Sequence, residues 1–217
     1  MFDRPIQNAL EPLWRVVATP LLRWGVTPNQ VTVAAWVTGL MSAVLIASHQ
    51  FHWALALLLI SRALDALDGA LARQRGASDA GGYLDIVLDF WFYVAIPLAF
   101  AWIAPTHNAM AAAALVASYV LNATSWLALT SMRPRAALSG DCSQTTGPRK
   151  SLSFIPSLTE GGETLLAYAA MCIWPQNFAP IAWGFATLCL LSAIYRTHTG
   201  WQLLSLQSQA PDDHSHR

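Results

Sequence analysis

The chain has 217 residues, 55% of them hydrophobic and 11% charged, and its formal net charge is zero. Soluble domains carry about 25% charged residues, so this composition excludes an ordinary soluble domain. With no basic excess it also gives no sign of a nucleic-acid partner. The three cysteines, Cys142, Cys172 and Cys189, form neither a CxxC pair nor an even-numbered set. Neither a disulfide framework nor a zinc site is expected.

Residues 7–24 alternate apolar and polar positions and carry Trp14, Arg15, Arg23 and Trp24. The segment is too short and too charged to span, and it reads as an amphipathic helix lying on the membrane surface. Glu11 and Pro20 break the apolar run that a cleaved signal would need. Six apolar stretches follow, at about 30–48, 52–73, 81–104, 108–131, 160–174 and 178–200, each read as a membrane crossing. Turn residues separate them: His49-Gln50, Pro105-Thr106-His107-Asn108 and Pro175-Gln176-Asn177. Residues 132–158 form a polar loop with Pro134, Gly140, Gly147 and Pro156, and residues 207–217 form a polar tail. The expected fold class is an all-α integral membrane protein. It would have one domain over residues 1–206, with six transmembrane helices and an N-terminal amphipathic interfacial helix.

The basic residues set the expected orientation. With the N-terminus in the cytoplasm, the inside segments and the helix ends beside them hold Arg4, Arg15, Arg23, Arg73, Arg75, Arg133, Arg135, Arg149, Lys150, Arg196 and Arg217. The three outside connections hold no Lys or Arg, as the positive-inside rule requires. Trp53, Trp102 and Trp174 then fall near the outer edge, where an aromatic belt is expected.

Charge inside the spans is concentrated at one place. The second stretch contains Arg62 and ends Asp65-Ala66-Leu67-Asp68-Gly69-Ala70-Leu71-Ala72-Arg73; the third begins Gly81-Gly82-Tyr83-Leu84-Asp85-Ile86-Val87-Leu88-Asp89. At 3.6 residues per turn, Asp65, Asp68, Gly69 and Ala72 share one face, and Gly81, Asp85 and Asp89 share a stripe on the next helix. The short loop between them makes the two helices antiparallel neighbours in this reading, with the acidic faces opposed near the cytoplasmic surface. Four facing carboxylates must be protonated, paired or bound to metal. Hard divalent ions such as Mg²⁺ or Mn²⁺ suit an all-oxygen site, and a pair of them suits phosphoryl transfer. Gly69, Ala72 and Gly81 leave room for a ligand, although small residues serve close helix packing equally well.

The pattern Asp65-x-x-Asp68-Gly69-x-x-Ala72-Arg73, followed by Gly81-x-x-x-Asp85-x-x-x-Asp89, resembles the signature of the CDP-alcohol phosphatidyltransferase family. The interval between Arg73 and Gly81 is one residue shorter than the family pattern, a change confined to the loop. The Thr27-Pro28-Asn29-Gln30-Val31-Thr32 segment, the Leu158-Thr159-Glu160-Gly161 segment and the hydropathy profile extend the resemblance over most of the chain, toward a bacterial inner-membrane branch. The resemblance implies a multi-pass protein of the inner (cytoplasmic) membrane with its site facing the cytoplasm. It implies attack by an acceptor hydroxyl on a CDP-alcohol, with release of CMP, in phospholipid biosynthesis. By position, Asp65, Asp68, Asp85 and Asp89 would hold two divalent ions, and Asp89 would also be the base. Asp68, Gly69, Ala72, Arg73, Gly81 and Asp85 would line the CDP site. The expected partners are a CDP-linked lipid donor, a small alcohol or phosphorylated alcohol acceptor, and membrane lipids; homodimerisation is left open.

Other charged residues carry two readings each. Arg133, Arg135, Arg149 and Lys150 would bind an anionic acceptor or serve only as topogenic charges. Arg62 would pair with Asp65 or meet a lipid phosphate. Glu160 and Glu163 would favour the start of the fifth helix or contact the acceptor. Asp79 reads as a cap or turn residue, and His214 and His216 as solvated tail residues. Two rival functions share the acidic cluster: a cation transporter and a non-catalytic scaffold of the same fold. Metal-dependent CMP release separates the transferase from both.

Overall fold

A computed structural model of the chain describes Trp14, residues 16–132 and residues 161–208, and helix is the only regular structure among them. Residues 16–23 are helical, and Ala18 within them is fully buried. This segment stops in a Schellman motif. Gly25 takes φ +79°, Val26 N–H donates to the Leu21 carbonyl at 3.1 Å, and Gly25 N–H donates to Leu22 at 3.1 Å. A glycine is favoured there because a Cβ resists the left-handed conformation.

Six longer helices follow: α1 (Pro28–Ala47), α2 (Phe51–Arg75), α3 (Asp79–Ile103), α4 (Pro105–Ser131), α5 (Gly161–Ile173) and α6 (Phe178–Ser208), with a 3₁₀ turn over Pro175–Asn177 before the last. Their bounds lie within three residues of the six apolar stretches, except that α6 continues past residue 200 to Ser208. The loss of hydrophobicity at that point says where lipid contact would end, whereas a helix ends at a breaker or cap, and Trp201–Ser208 contains no Gly or Pro. Among the described residues, four helical stretches are long and apolar enough to cross a bilayer: α1, α3, α4 and Pro175–Ser205. The 25-residue α2 carries the acidic motif, and α5 has 13 residues. The basic loop with Arg133, Arg135, Arg149 and Lys150, together with Glu160 and the tail from residue 209, lies outside the described residues.

Local chemistry explains the starts. Thr27 and Gln30 form a reciprocal capping box, with Pro28 in the first turn, so α1 begins without unsatisfied amides at Thr27 and Gln30. Ser78, not Asp79, caps α3: its side chain accepts from Gly81 N–H at 3.1 Å. Asp79 occupies the first turn, where a negative charge complements the helix dipole. Pro97 lies inside α3 and cannot donate to the Tyr93 carbonyl. The Tyr168 hydroxyl of α5 donates to that carbonyl instead, at 2.8 Å. The buried Asn108 side chain donates to Phe100 O at 2.9 Å near the end of α3.

The two motif helices bring their acidic faces together as expected, through side chains rather than close backbone contact. α2 and α3 make little direct backbone contact; each packs closely against α1, while α4 packs on α3 and α6, and α5 on α2. Ser61 Oγ of α2 donates to Ala35 O at 2.7 Å, and Ser42 Oγ of α1 donates to Ala54 O at 2.8 Å. Gly39 lets α1 reach both partners. A Cβ there would lie 2.6 Å from Phe92 Cδ2 on α3 and 3.0 Å from Ser61 Oγ on α2. The buried core continues through Ile46, Leu58, Ile96, Phe100 and Leu115. Large apolar side chains such as Val37, Val44, Trp53 and Trp102 face outward, and Cys172 and Cys189 are buried.

The packing at Gly39 predicts a steep response to added volume. Gly39→Val should destabilise the detergent-solubilised protein by about 1–3 kcal/mol, the usual cost of overpacking. Gly184 has open space around its Cα, so Gly184→Ala should be neutral or stabilising by up to about 1 kcal/mol through helix propensity. Thermal melts of the two variants check this; equal melting temperatures would contradict the close approach.

Candidate active site

The acidic stripes meet in the gap that α1 holds open between α2 and α3. Asp65 and Asp68 stand one turn apart on α2, and Asp85 stands on the first turns of α3. Each offers a carboxylate oxygen, and the three oxygens lie within 4.8 Å of one another. Asp68 is 7% exposed, lies beside Thr32 of α1, and has an Oδ2 that is buried without a hydrogen-bond partner among the described residues. A buried, unpartnered carboxylate oxygen is costly unless something positive meets it. The donor set is hard oxygen, and Mg²⁺ or Mn²⁺ takes such ligands. These residues therefore fit a divalent ion.

Asp89 is placed differently. Its Oδ1 accepts from Arg62 Nη1 at 2.9 Å across the gap, and it is not one of the converging trio. The expected pairing of Arg62 with Asp65 is present at 3.5 Å on one helix, and the shorter bond goes to Asp89 on the other. The guanidinium also lies 4.3 Å over the Phe92 ring and donates from Nη2 to Ser61 Oγ at 3.3 Å.

The remaining motif residues surround this centre. A Cβ on Gly69 would lie 3.3 Å from Arg73 Nη1, so the bare glycine lets the Arg73 side chain fold back along α2. Arg73 is exposed and Ala72 half-buried. Gly81 is approached by Asn29 Oδ1, 3.0 Å from where its Cβ would be, which brings the first turn of α1 to the first turn of α3. Arg75 Nη1 donates to Val26 O at 3.4 Å on the same side. Asp79 stands in that first turn of α3, apart from the converging carboxylates. The parts not singled out by periodicity are Thr32 beside Asp68, Asn29 beside Gly81, and the Ser61–Phe92 seat beneath Arg62. The first two sit in the Thr27–Thr32 segment, whose polar residues at the start of an apolar run were the available signal.

Residues 25–195 match the family model described as CDP-alcohol phosphatidyltransferase. A relative 36% identical over 213 residues, covering 96% of this chain and 100% of its own length, is the inner membrane protein YnjF of Escherichia coli K12. Archaetidylinositol phosphate synthase of Pyrococcus horikoshii is 40% identical over 85 residues, 36% of this chain and 42% of that protein. Among solved structures, the Mycobacterium tuberculosis phosphatidylinositol phosphate synthase PgsA1 with CDP-DAG bound superposes with a TM-score of 0.62 at 23% identity, over 88% of this chain and 94% of that one. The same enzyme in complex with manganese and citrate gives a TM-score of 0.64 at 21% identity, over 87% of this chain and 88% of that one. At those identities the structures establish a shared fold.

Ion binding at the trio should register as stability. Mn²⁺ at about a hundred times its dissociation constant should add about 2.7 kcal/mol, read as a rise in melting temperature that EDTA reverses. In Asp68→Asn the orphaned buried oxygen loses its charge, and the Mn²⁺-dependent rise should largely disappear. An equal rise in both proteins would place the ion elsewhere.

Proposed function

The chain belongs to the CDP-alcohol phosphatidyltransferase family, and from that membership we propose that it moves a phosphatidyl group from a CDP-linked lipid to the hydroxyl of a small or phosphorylated alcohol. The convergence of Asp65, Asp68 and Asp85 on one point, with Asp89 beside them, carries this reading. Divalent ions held by Asp65, Asp68, Asp85 and Asp89 would neutralise the donor's phosphates and polarise the β-phosphorus. Asp68, Gly69, Ala72, Arg73, Gly81 and Asp85 line the side on which the CDP moiety would lie. The Gly69 and Gly81 backbones have no side chain to obstruct it, and Arg73 offers a fixed charge to a phosphate oxygen. The acceptor oxygen bonds to the β-phosphorus as the bond to the bridging oxygen breaks. CMP leaves with that oxygen, and the acceptor's proton passes to Asp89.

Two of the similar proteins are named as synthases of an inositol phosphate lipid, which supports a polyol phosphate among the acceptors to be tried. Arg133, Arg135, Arg149 and Lys150 are the candidate contacts for its phosphate. The setting we propose is a bacterial inner membrane, as for the relative YnjF, with the site facing the cytoplasm. There the single domain over residues 1–206 crosses six times, both ends inside, behind the interfacial helix at 7–24 and ahead of the tail at 207–217. A homodimer is consistent with the outward-facing apolar surface.

Two measurements test the proposal. Reporter fusions after Pro105 and Gln176 should read outside, and fusions after Ser78 and Gly147 inside; a reversed pattern at two of the sites would overturn the topology. Purified protein with Mn²⁺, CDP-diacylglycerol and a panel of alcohols including glycerol 3-phosphate and inositol 1-phosphate should release CMP. Asp89→Asn should lower that rate by at least about a hundredfold, within the range for loss of a general base. Asp79→Asn should change it by less than about threefold, as is usual away from the reacting groups. Comparable rates in the two variants, normalised to folded protein, remove Asp89 from the mechanism.

A further inference from the structure

Arg62 lies outside the family motif yet touches two of its four carboxylates. Nη1 donates to Asp89 Oδ1 at 2.9 Å across the α2–α3 gap and lies 3.5 Å from Asp65 Oδ2 on its own helix. The guanidinium is enclosed from two further sides, by Ser61 Oγ at 3.3 Å and by the Phe92 ring at 4.3 Å. Both of those are themselves fixed. Ser61 donates to Ala35 O at 2.7 Å, and Phe92 is fully buried where α1 has only Gly39 to set against it. The Arg62 side chain is 13% exposed. A planar fork held on its face and two edges has one orientation available, and the carboxylate it grips by one oxygen loses its freedom to rotate.

Resting on the reading of Asp89 as base, we propose that Arg62 is a positioning residue: it anchors Asp89 by Oδ1 so that Oδ2 is presented to the acceptor hydroxyl, and it stands as a resident cation beside the metal-binding carboxylates. The two halves have consequences of opposite sign. Removing the cation leaves Asp65 with an uncompensated charge and no positive neighbour to repel an incoming ion, so metal binds more tightly. Removing the anchor frees Asp89 to rotate, so turnover slows. A purely structural counter-ion predicts the reverse coupling, with metal affinity, turnover and melting temperature falling together.

The test uses full-length wild type, R62K, R62Q, D89N and the R62Q/D89N double variant in one detergent. CMP release is measured with CDP-diacylglycerol and the acceptor from the panel that supports wild-type turnover. Mn²⁺ affinity is measured without substrate from the EPR signal of free Mn²⁺. R62Q should lower kcat by about thirtyfold or more with donor KM within about threefold, the pattern of an interaction felt mainly in the transition state. Its Mn²⁺ affinity should rise by about threefold or more. R62K restores the charge without the fork and should recover much of the loss, ending about three- to tenfold below wild type. In the D89N background R62Q should change kcat by less than about threefold, because residues acting as one unit are non-additive. Wild-type kcat in R62Q, weaker Mn²⁺ binding in R62Q, or an additive loss in the double variant each overturns the inference. If R62Q does not insert, R62K decides: wild-type kcat there overturns the anchor, and a drop in kcat at unchanged donor KM supports it. A wild type that releases no CMP with any acceptor defeats the transferase reading instead, and the Mn²⁺ measurements still judge the resident cation.

Discussion

The close approach of three helices at Gly39 is the constraint on which the site depends. With no side chain at that position, α1 accepts the Phe92 ring from α3 and the Ser61 hydroxyl from α2 at once. The wedge explains why α2 and α3, joined by a short loop, do not collapse onto each other. Each leans on α1, and the space between them is left for side chains. Phe92, seated in this way, becomes the floor on which the Arg62 guanidinium rests. Ser61, bonded to the α1 backbone, becomes one of its walls. A packing requirement in the apolar interior is thereby converted into a fixed position for a charge.

Electrostatics explains why the gap must be filled by ions. A charged side chain within a span costs about 2.5–3.5 kcal/mol on insertion scales, and this bundle places four carboxylates and one guanidinium together. Arg62 compensates only part of that charge, through Asp89 and more weakly through Asp65. The buried Asp68 Oδ2 has no hydrogen-bond donor among the described residues. In a scaffold held only by packing and backbone hydrogen bonds, such an arrangement is a local conflict. Conflicts of this kind mark sites where structure is sacrificed to chemistry. A divalent ion resolves it, because three hard oxygen donors already converge where one would sit.

The helices also show how an apolar bundle meets the hydrogen-bonding needs of a broken helix. Pro97 takes one donor out of α3, and the Tyr168 hydroxyl from α5 makes up the loss at Tyr93. Asn108 serves a carbonyl near the end of α3 in the same way. Both contacts tie a neighbouring segment to the helix that carries Asp85 and Asp89. The carboxylates therefore stand on a braced element.

Much of this was legible in the residues alone, and the limit falls where local periodicity stops. The helices follow the six apolar stretches, and among the described residues four helical stretches are long and apolar enough to cross a bilayer. The alignment of Asp65 with Asp68, and of Asp85 with Asp89, followed from 3.6 residues per turn. The coming together of Asp65, Asp68 and Asp85 followed from a short loop. α6 runs on past the apolar stretch because hydropathy marks the edge of lipid contact and not the end of a helix. No pattern within either helix reveals that α1 lies against both α2 and α3. For the same reason the i, i+3 pairing of Arg62 with Asp65 is legible in the sequence, and its shorter bond to Asp89 on the other helix is not. The sequence by itself determined which residues share a face, since that is a property of one helix. Only the tertiary structure decided which faces meet and which carboxylate Arg62 holds, because that depends on Gly39 admitting Phe92 and Ser61 to the same point.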